Sequence, residues 1–475
     1  MNGPWKSVAL VVLLAAVLFA LRLAGPPNLM DNDQERPASY VVDAVQNGHW
    51  AVQYDWMGGV SSKPPLYTWL AAIPTLALGR ISYVSLYLPA FLSVLATALL
   101  ILRRGGARFG PAAGLAAAVT FLVSPIMSRQ VALARTDALF MLTVALAALA
   151  AYDAWVRGTG WIRFWLLAAL VMLAKGPLGI LLAAGGLCAG LWEKPPSSPG
   201  PARREHFVGV LLCLAITLGW ASLAYRAAGQ AFVDRVLKRE LVGHLVAGDK
   251  GEAPLRYFYE PALYFLHRFA PWSLVACVAF WRVVRRPAAD PGERRFERFL
   301  FGWFFAGLVV FCLAPHQRGD LLSPIIPPVA LLGGRELARW LARLAPARRA
   351  AGSAAAMLAL LAVNAAYYLT RGNDVWVRRT VGMEQLAREI REKAGDAPLV
   401  HTDTPYTLQF YLNTMQTLVP PEEAARLLTG SNKVYVASCD FRPVARLLPR
   451  GFDDREVARW PDEGEAFVTV FGNRL

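Results

Sequence analysis

The chain has 475 residues, of which 56% are hydrophobic and only 17% charged, whereas an ordinary soluble domain carries about 25% charged residues. The apolar residues fall in repeated long blocks, which excludes a soluble globular protein and indicates a multi-spanning membrane protein. The formal net charge of +15 resides mostly in arginines of short connections. That is the pattern of cytoplasmic loops, with no basic, aromatic-interleaved stripe to suggest a nucleic-acid partner.

Residues 7–25 form the first apolar block. It lacks a small-residue cleavage site and many similar blocks follow, so it reads as a retained span and not a secretory signal. Arg22, near its outer end, is expected to snorkel. Next comes "MDNDQERPASYVVDAVQNGHW", residues 30–50, which places Asp31, Asp33, Glu35 and Arg36 together in a chain that uses charge sparingly. The block "LYTWLAAIPTLALG" (66–79) is short and interrupted by Pro74. If it crossed, "LRRGGAR" would move outside and break the charge rule, so it is expected to lie in the outer interface or re-enter from it. Further spans are expected near 83–102, 111–126, 137–156, 161–174, 176–192, 207–224, 262–281, 299–314, 321–334 and 350–369, about eleven in all. Leu337, Trp340, Leu341 and Leu344 make one apolar face against Arg339 and Arg343, which predicts an interfacial helix over 337–346.

Placing Lys6 inside brings "LRRGGAR", "VRGTGWIR", "PARRE", "RVVRRPAADPGERRFER" and "RELARWLARLAPARR" inside as well, a self-consistent threading. From about 370 the composition changes. Residues 382–394 predict an amphipathic helix, "APLVH", "NKVYVAS", "REVARW" and "EAFVTVF" predict strands, and "PEEAARLL" and "PVARLL" short helices. Two domains follow: a transmembrane domain over 1–370 and a soluble α/β domain over 371–475. After an odd number of spans the second domain faces the periplasm of a Gram-negative cell.

The same threading gathers the unusual polar residues on the outer face, in connections 26–82, 127–136, around Lys175, 225–261 and 315–320. Ionisable groups at membrane depth are costly and are by default a functional-site hypothesis. Duller roles exist: Asp137 complements the dipole of the helix it starts, Lys175 snorkels from a helix end, and His267 and Arg268 face the interface. His49 and His206 have no partner at metal-ligand spacing and read as structural, and His401 and the tail carboxylates as surface groups. Cys188, Cys213, Cys277 and Cys312 lie in apolar blocks as small packing residues, and Cys439 stands alone in the tail; no disulfide framework or thiolate metal site is indicated.

These residues resemble a known family. "DNDQERPASYVVDAVQNGHW" followed by "SSKPPLYTWL" is similar to the first outer loop of the aminoarabinose transferase-like glycosyltransferases, which belong with the protein O-mannosyltransferases to the GT-C class. Asp33, Arg36, Gly48, Trp50, Lys63, Pro64, Pro65, Leu66 and Trp69 occupy the motif positions, while Gln34 replaces the motif's second acid and His49 a later Asp. "ARTDALF", "AKGPLG", "FAPWS" and "HQRGDLLSPIIPPVALLGG" match further landmarks in order. The resemblance covers the membrane part; the tail matches in position alone. It implies an α-helical polytopic membrane protein of GT-C type, with about 11–13 transmembrane helices and a small C-terminal α/β periplasmic domain, in the inner membrane with its site facing the periplasm.

The activity implied is transfer of a sugar from a polyprenyl-phosphate donor to an acceptor, which could be lipid A, a protein or another envelope glycan. A lipid-phosphate leaving group needs cations: Arg36 and Lys63 first, then Arg135, Lys175, His316 and Arg318. Asp33, at the position of the family's catalytic acid, is expected to act as base, and Asp137 as an orienting or second carboxylate. A single base opposite the leaving phosphate implies inversion. Glu35, Glu240, His244 and Tyr257 are loop residues on the acceptor side. No cofactor is assigned with certainty; the resemblance leaves a divalent ion open, but the family's His near "GEAPLRYFYEP" is absent, Gly251 and Glu252 stand there, and His244 could substitute. The amphipathic "FVDRVLKREL" is expected on the outer leaflet, closing over the donor, or as a plain linker helix. Membrane lipids are expected partners and the chain is read as a monomer. The alternative is a lipid or glycolipid transporter or flippase without covalent chemistry, which should show paired broken helices in repeated halves; no such repeat is visible.

Overall fold

The computed structural model describes residues 4–31, 33–194, 202–236, 257–314, 317–395, 397–452, 455–461 and 463–473. Among them, six helices are long and apolar enough to cross a membrane: Trp5–Ala24, Tyr83–Phe109, Asp137–Arg157, Ala202–Val236, Pro291–Leu313 and Pro346–Asn373. A helix satisfies most of its backbone polar groups internally, as lipid demands. A seventh is counted if Glu260–Arg268 and Trp272–Arg285, bent by 115° at a short break, form one span. Leu66–Leu78, Pro111–Val123 and Leu178–Leu191 are shorter apolar helices, so several blocks read as spans are helical yet below the roughly 20 residues a straight crossing needs. The predicted span 321–334 and interfacial helix 337–346 are one element in part: Ile326–Leu341 runs through both.

The chain divides into two compact units. The first comprises Met1–Ala24, Ser62–Leu70 and Tyr87–Tyr368, and the second Gly25–Ser61, Ala71–Leu86 and Leu369–Leu475.

In the first unit, Pro111–Val123 packs along Ile326–Leu341. Gly334 backs directly onto the backbone of Ala117, where an added Cβ would collide; small residues at such a contact let helix backbones approach closely in lipid. Trp161–Lys175 lies between Asp137–Arg157 and Ala202–Phe232. The helix Pro346–Leu369 is almost wholly exposed, with an apolar surface suited to lipid. Arg22 does not snorkel: it is buried, donates to the Tyr87 hydroxyl at 3.4 Å and lies 5.6 Å from that ring's centre. Cys213 is buried, whereas Cys188 and Cys277 are exposed.

In the second unit, a four-stranded sheet has the order β1-β2-β4-β3, with β1 Leu399–His401, β2 Tyr435–Ser438, β3 Arg455–Trp460 and β4 Val468–Gly472. β1 and β2 are parallel; the remaining pairs are antiparallel. Val375–Ala394 buries Met383, Leu386, Ala387 and Ile390 against one face. Pro421–Thr429 covers the other through Ala424, Ala425 and Leu428, with Val434, Val436 and Val444. His401, expected on the surface, is buried at the end of β1. A three-residue strand carries too little alternation to reveal which of its faces is the core.

Candidate active site

In the first unit, six charged residues at helix ends form one network. Asp137 opens the helix Asp137–Arg157 and is 2% exposed. Its carboxylate accepts from Lys175 Nζ at 2.5 Å and pairs with Arg135 Nε at 2.9 Å. Lys175 ends Trp161–Lys175 and lies 5.5 Å from the centre of the Phe140 ring. Arg135 reaches a second carboxylate, donating to Asp320 at 3.2 Å. Arg129 and Arg268 approach Asp320 at 3.9 and 3.8 Å. The chain thus runs Lys175, Asp137, Arg135, Asp320, then Arg129 and Arg268. Four cations share two carboxylates, an excess of two positive charges. The Nε of Arg268 is buried with no hydrogen-bond partner among the described residues. Arg318 acts electrostatically on Asp137, and Lys63 on Lys175. A carboxylate as deeply buried as Asp137 persists charged only with partners of this kind.

Asp320 and Arg129 were not singled out in the sequence, although both lie in stretches noted for charge; their pairing spans 191 residues of chain (320 − 129) and leaves no local signal. Arg268, read as an interfacial residue, belongs to the network. Tyr257 lies in a turn whose carbonyl accepts from Glu260 N at 2.9 Å. His316, Glu240 and His244 lie outside the described residues, as does the stretch "FVDRVLKREL" from residue 237 onward. Among the described residues no group of three or more His, Cys, Asp or Glu is placed to hold a metal ion.

In the second unit, the first outer loop is an ordered construction. Gln34 is fully buried and donates from Nε2 to the carbonyls of Asn28 at 2.9 Å and Asp31 at 3.0 Å. The residue in place of the motif's second acid therefore staples the turn by donating hydrogen, which a carboxylate cannot do. Asp33 is exposed and has φ 55°, one of two non-glycine residues described with positive φ. Glu35 opens the helix Glu35–Asn47, and its Oε1 accepts from Thr407 N at 2.8 Å and Thr407 Oγ1 at 2.7 Å. Burial raises the Glu35 pKa, against the lowering effect of those two bonds. Arg36 is half exposed, with Nε 3.7 Å from the buried Asp55 carboxylate. Asp55 in turn accepts from Gly59 N at 2.8 Å, and Asp43 from Tyr54 N at 2.8 Å and His49 Nδ1 at 2.9 Å. Asp43, Asp55 and His49 thus shape the loop.

The chain has a membrane helical unit and a mixed α/β unit that incorporates the first outer loop, a fold it shares with solved structures. The ArnT structure from Cupriavidus metallidurans bound to undecaprenyl phosphate is similar over 100% of this chain and 99% of that one, with TM-score 0.72 and 18% identity. The Archaeoglobus fulgidus oligosaccharyltransferase in its apo form aligns over 93% of this chain and 71% of that one, with TM-score 0.52 and 13% identity. Residues 62–222 match the dolichyl-phosphate-mannose-protein mannosyltransferase family. The undecaprenyl phosphate-alpha-4-amino-4-deoxy-L-arabinose arabinosyl transferase 1 of Pseudomonas fluorescens (strain Pf0-1) is 25% identical over 379 residues, 77% of this chain and 64% of that protein. The chain therefore spans a little under two thirds of that relative's length. With six helices among the described residues long and apolar enough to cross a membrane, it is a multi-pass membrane protein similar to these transferases.

Proposed function

We propose that this chain is an integral-membrane glycosyltransferase that moves a sugar from a polyprenyl-phosphate donor to an acceptor hydroxyl at the periplasmic face. The observation that carries this reading is the network in which four partly buried cations share two buried carboxylates. An apolar helix bundle with a surplus of fixed positive charge suits a lipid anion and its leaving phosphate. A monophosphate leaving group carries less charge than a nucleotide diphosphate, so lysine and arginine could suffice for it. Lys63, Arg135, Lys175, His316 and Arg318 are assigned to the donor phosphate along with Arg36. Asp137, already engaged by Lys175 and Arg135, orients those two cations.

Asp33 is assigned as the base. Its carboxylate accepts the acceptor's hydroxyl proton as the oxygen attacks the anomeric carbon, and the polyprenyl phosphate departs from the opposite side with the bonding electrons. One displacement inverts the anomeric centre. Glu35, Glu240, His244 and Tyr257 are assigned to the acceptor side, and the C-terminal sheet to the periplasm. The acceptor is lipid A, a protein or another envelope glycan. The likeness to arabinosyl and mannosyl transferases supports this chemistry.

The test is a turnover assay on the full chain in lipid nanodiscs, with radiolabelled undecaprenyl-phosphate 4-amino-4-deoxy-arabinose and undecaprenyl-phosphate mannose. Release of undecaprenyl phosphate that Asp33→Asn abolishes is the expected result. Normal turnover by Asp33→Asn removes Asp33 from the base role. Movement of labelled donor across the bilayer without bond cleavage would instead identify a flippase.

A further inference from the structure

Asp33 sits in left-handed backbone, a conformation that is costly for a non-glycine residue and persists only where its surroundings over-determine it. Gln34 contributes a local restraint through Asn28 and Asp31. Further restraints come from more than 330 residues along the chain, within the same compact unit. On the N-terminal side of Asp33, the Met30 amide donates to Thr380 Oγ1 at 3.3 Å, and the Asp31 carboxylate pairs with Arg371 at 3.1 Å. Arg371 is itself held by Asp374 at 2.9 Å, and Asp374 caps the helix Val375–Ala394 by accepting from Trp376 N. Thr380 lies on that same helix. On the C-terminal side, Glu35 receives both the amide and the hydroxyl of Thr407, in the helix Tyr406–Leu412. Met30 also packs against the sheet's core.

The remainder of the loop is fastened to the same elements. Trp56 Nε1 donates to the Thr404 carbonyl at 3.1 Å, Leu418 N to the Trp56 carbonyl at 2.8 Å, and Gln46 Nε2 to the Asn413 carbonyl at 2.9 Å. A surface cap loosely laid over a loop would not seat hydrogen bonds within two or three residues of one strained position on both of its sides. Side chains that fix a reacting group in this manner act on rate through geometry, since a misplacement of about 1 Å lowers turnover by about a hundredfold.

We propose that Thr407, Arg371 and Thr380 are positioning residues for the transfer reaction: the C-terminal α/β segment holds the Asp33 turn in its working conformation from both sides. The proposal rests on the reading of Asp33 as base, and it assigns the C-terminal segment a part in catalysis distinct from acceptor binding. Glu35 is the anchor through which Thr407 acts, and Asp31 the anchor for Arg371.

The experiment uses the full chain in nanodiscs carrying Thr407→Val, Arg371→Met or both, with Thr407→Ser and Arg371→Lys as rescues. Backbone hydrogen exchange is followed at residues 30–36 and, as the folding control, in β2 and β4. Turnover of the two undecaprenyl-phosphate sugars is measured over a range of donor concentrations. The expected result is faster exchange at 30–36 with β2 and β4 unchanged, and a fall in kcat of about tenfold to a hundredfold in the double variant at a donor KM within about twofold of wild type. Thr407→Ser and Arg371→Lys should recover most of the rate.

Unchanged exchange at 30–36 overturns the proposal, as does an unchanged kcat in the double variant. Loss of protection throughout the sheet together with the rate would assign these contacts to folding alone and also overturn it. If the wild type turns over neither donor, the glycosyltransferase reading fails with these donors, and exchange at 30–36 still decides whether the clamp exists.

Discussion

The pair Lys175–Asp137 allows a quantitative test of what the buried network does. Asp137 is 2% exposed, with Lys175 Nζ at 2.5 Å and Arg135 Nε at 2.9 Å. Two explanations make different demands. If Asp137 served only the dipole of the helix it opens, Lys175→Met would be nearly neutral and Asp137→Asn would lose about 0.3–1 kcal/mol. If the pair is an ion pair in a desolvated setting, removing one member leaves a buried charge, which costs about 3–5 kcal/mol. Arg135 remains beside the carboxylate in Lys175→Met, so the expected loss is at the lower end, about 3 kcal/mol. The double variant Asp137→Asn with Lys175→Met should be more stable than Lys175→Met alone, because it removes the orphaned charge as well as its partner. Denaturant titration of the full chain in mixed micelles, followed by tryptophan fluorescence, measures all three. A Lys175→Met chain within about 1 kcal/mol of wild type, or a double variant whose loss is the sum of the singles, refutes the ion-pair account.

Other outcomes follow from the same structure. Gln34→Glu, which restores the acid of the family motif, sets a carboxylate against the Asn28 and Asp31 carbonyls; it should destabilise the turn by about 1–3 kcal/mol and quicken hydrogen exchange at residues 28–36 without raising turnover. Arg335 and Glu297 are 3% and 1% exposed and paired, so Arg335→Ala should cost about 3–5 kcal/mol in the same titration, with Arg335→Met plus Glu297→Gln recovering part of it. His401 is buried, its Nδ1 3.0 Å from Thr404 Oγ1, and burial lowers its pKa from 6.5 to about 4. Between those values the unfolded state binds a proton that the folded state does not. Its stabilisation is therefore complete above pH 6.5 and is lost as pH falls through about 4, to an extent of about 3 kcal/mol. Exchange in the sheet measured from pH 7 to 4 should show this slope, and His401→Gln should flatten it.

The apolar blocks and the polar first loop were legible because each departs from what a chain in that environment ordinarily uses. Charge in "DNDQER" stands out against 17% charged residues overall, while the short apolar run in "NKVYVAS" and the alternation in "EAFVTVF" find β2, buried throughout, and β4. What the sequence could not show is which charged residues meet. Arg22 at a span end looks the same whether it snorkels or turns inward, and its inward contact with Tyr87 lies 65 residues away. Arg335 and Glu336 resemble a boundary between a span and an interfacial helix, yet Glu297 and Arg282 neutralise them and the helix continues. Glu35 gave no hint of Thr407, 372 positions distant. The loop acids Glu35 and Asp31, visible in the sequence only as clustered charge, are tied to the C-terminal part of the chain.

The seam at Gly334 and Ala117 has a consequence for how this protein tolerates change. In lipid, apolar attraction between helices gives no net advantage over lipid contact, so cohesion there depends on how near two backbones can come. An outward leucine of Pro346–Leu369 can be traded for valine or phenylalanine at little expense, since fluid acyl chains reshape around it. One methyl group at Gly334 has no such medium to displace; it would wedge the two helices apart along their length. Bulk added at this seam should therefore harm the protein more than far larger alterations on its lipid-facing exterior.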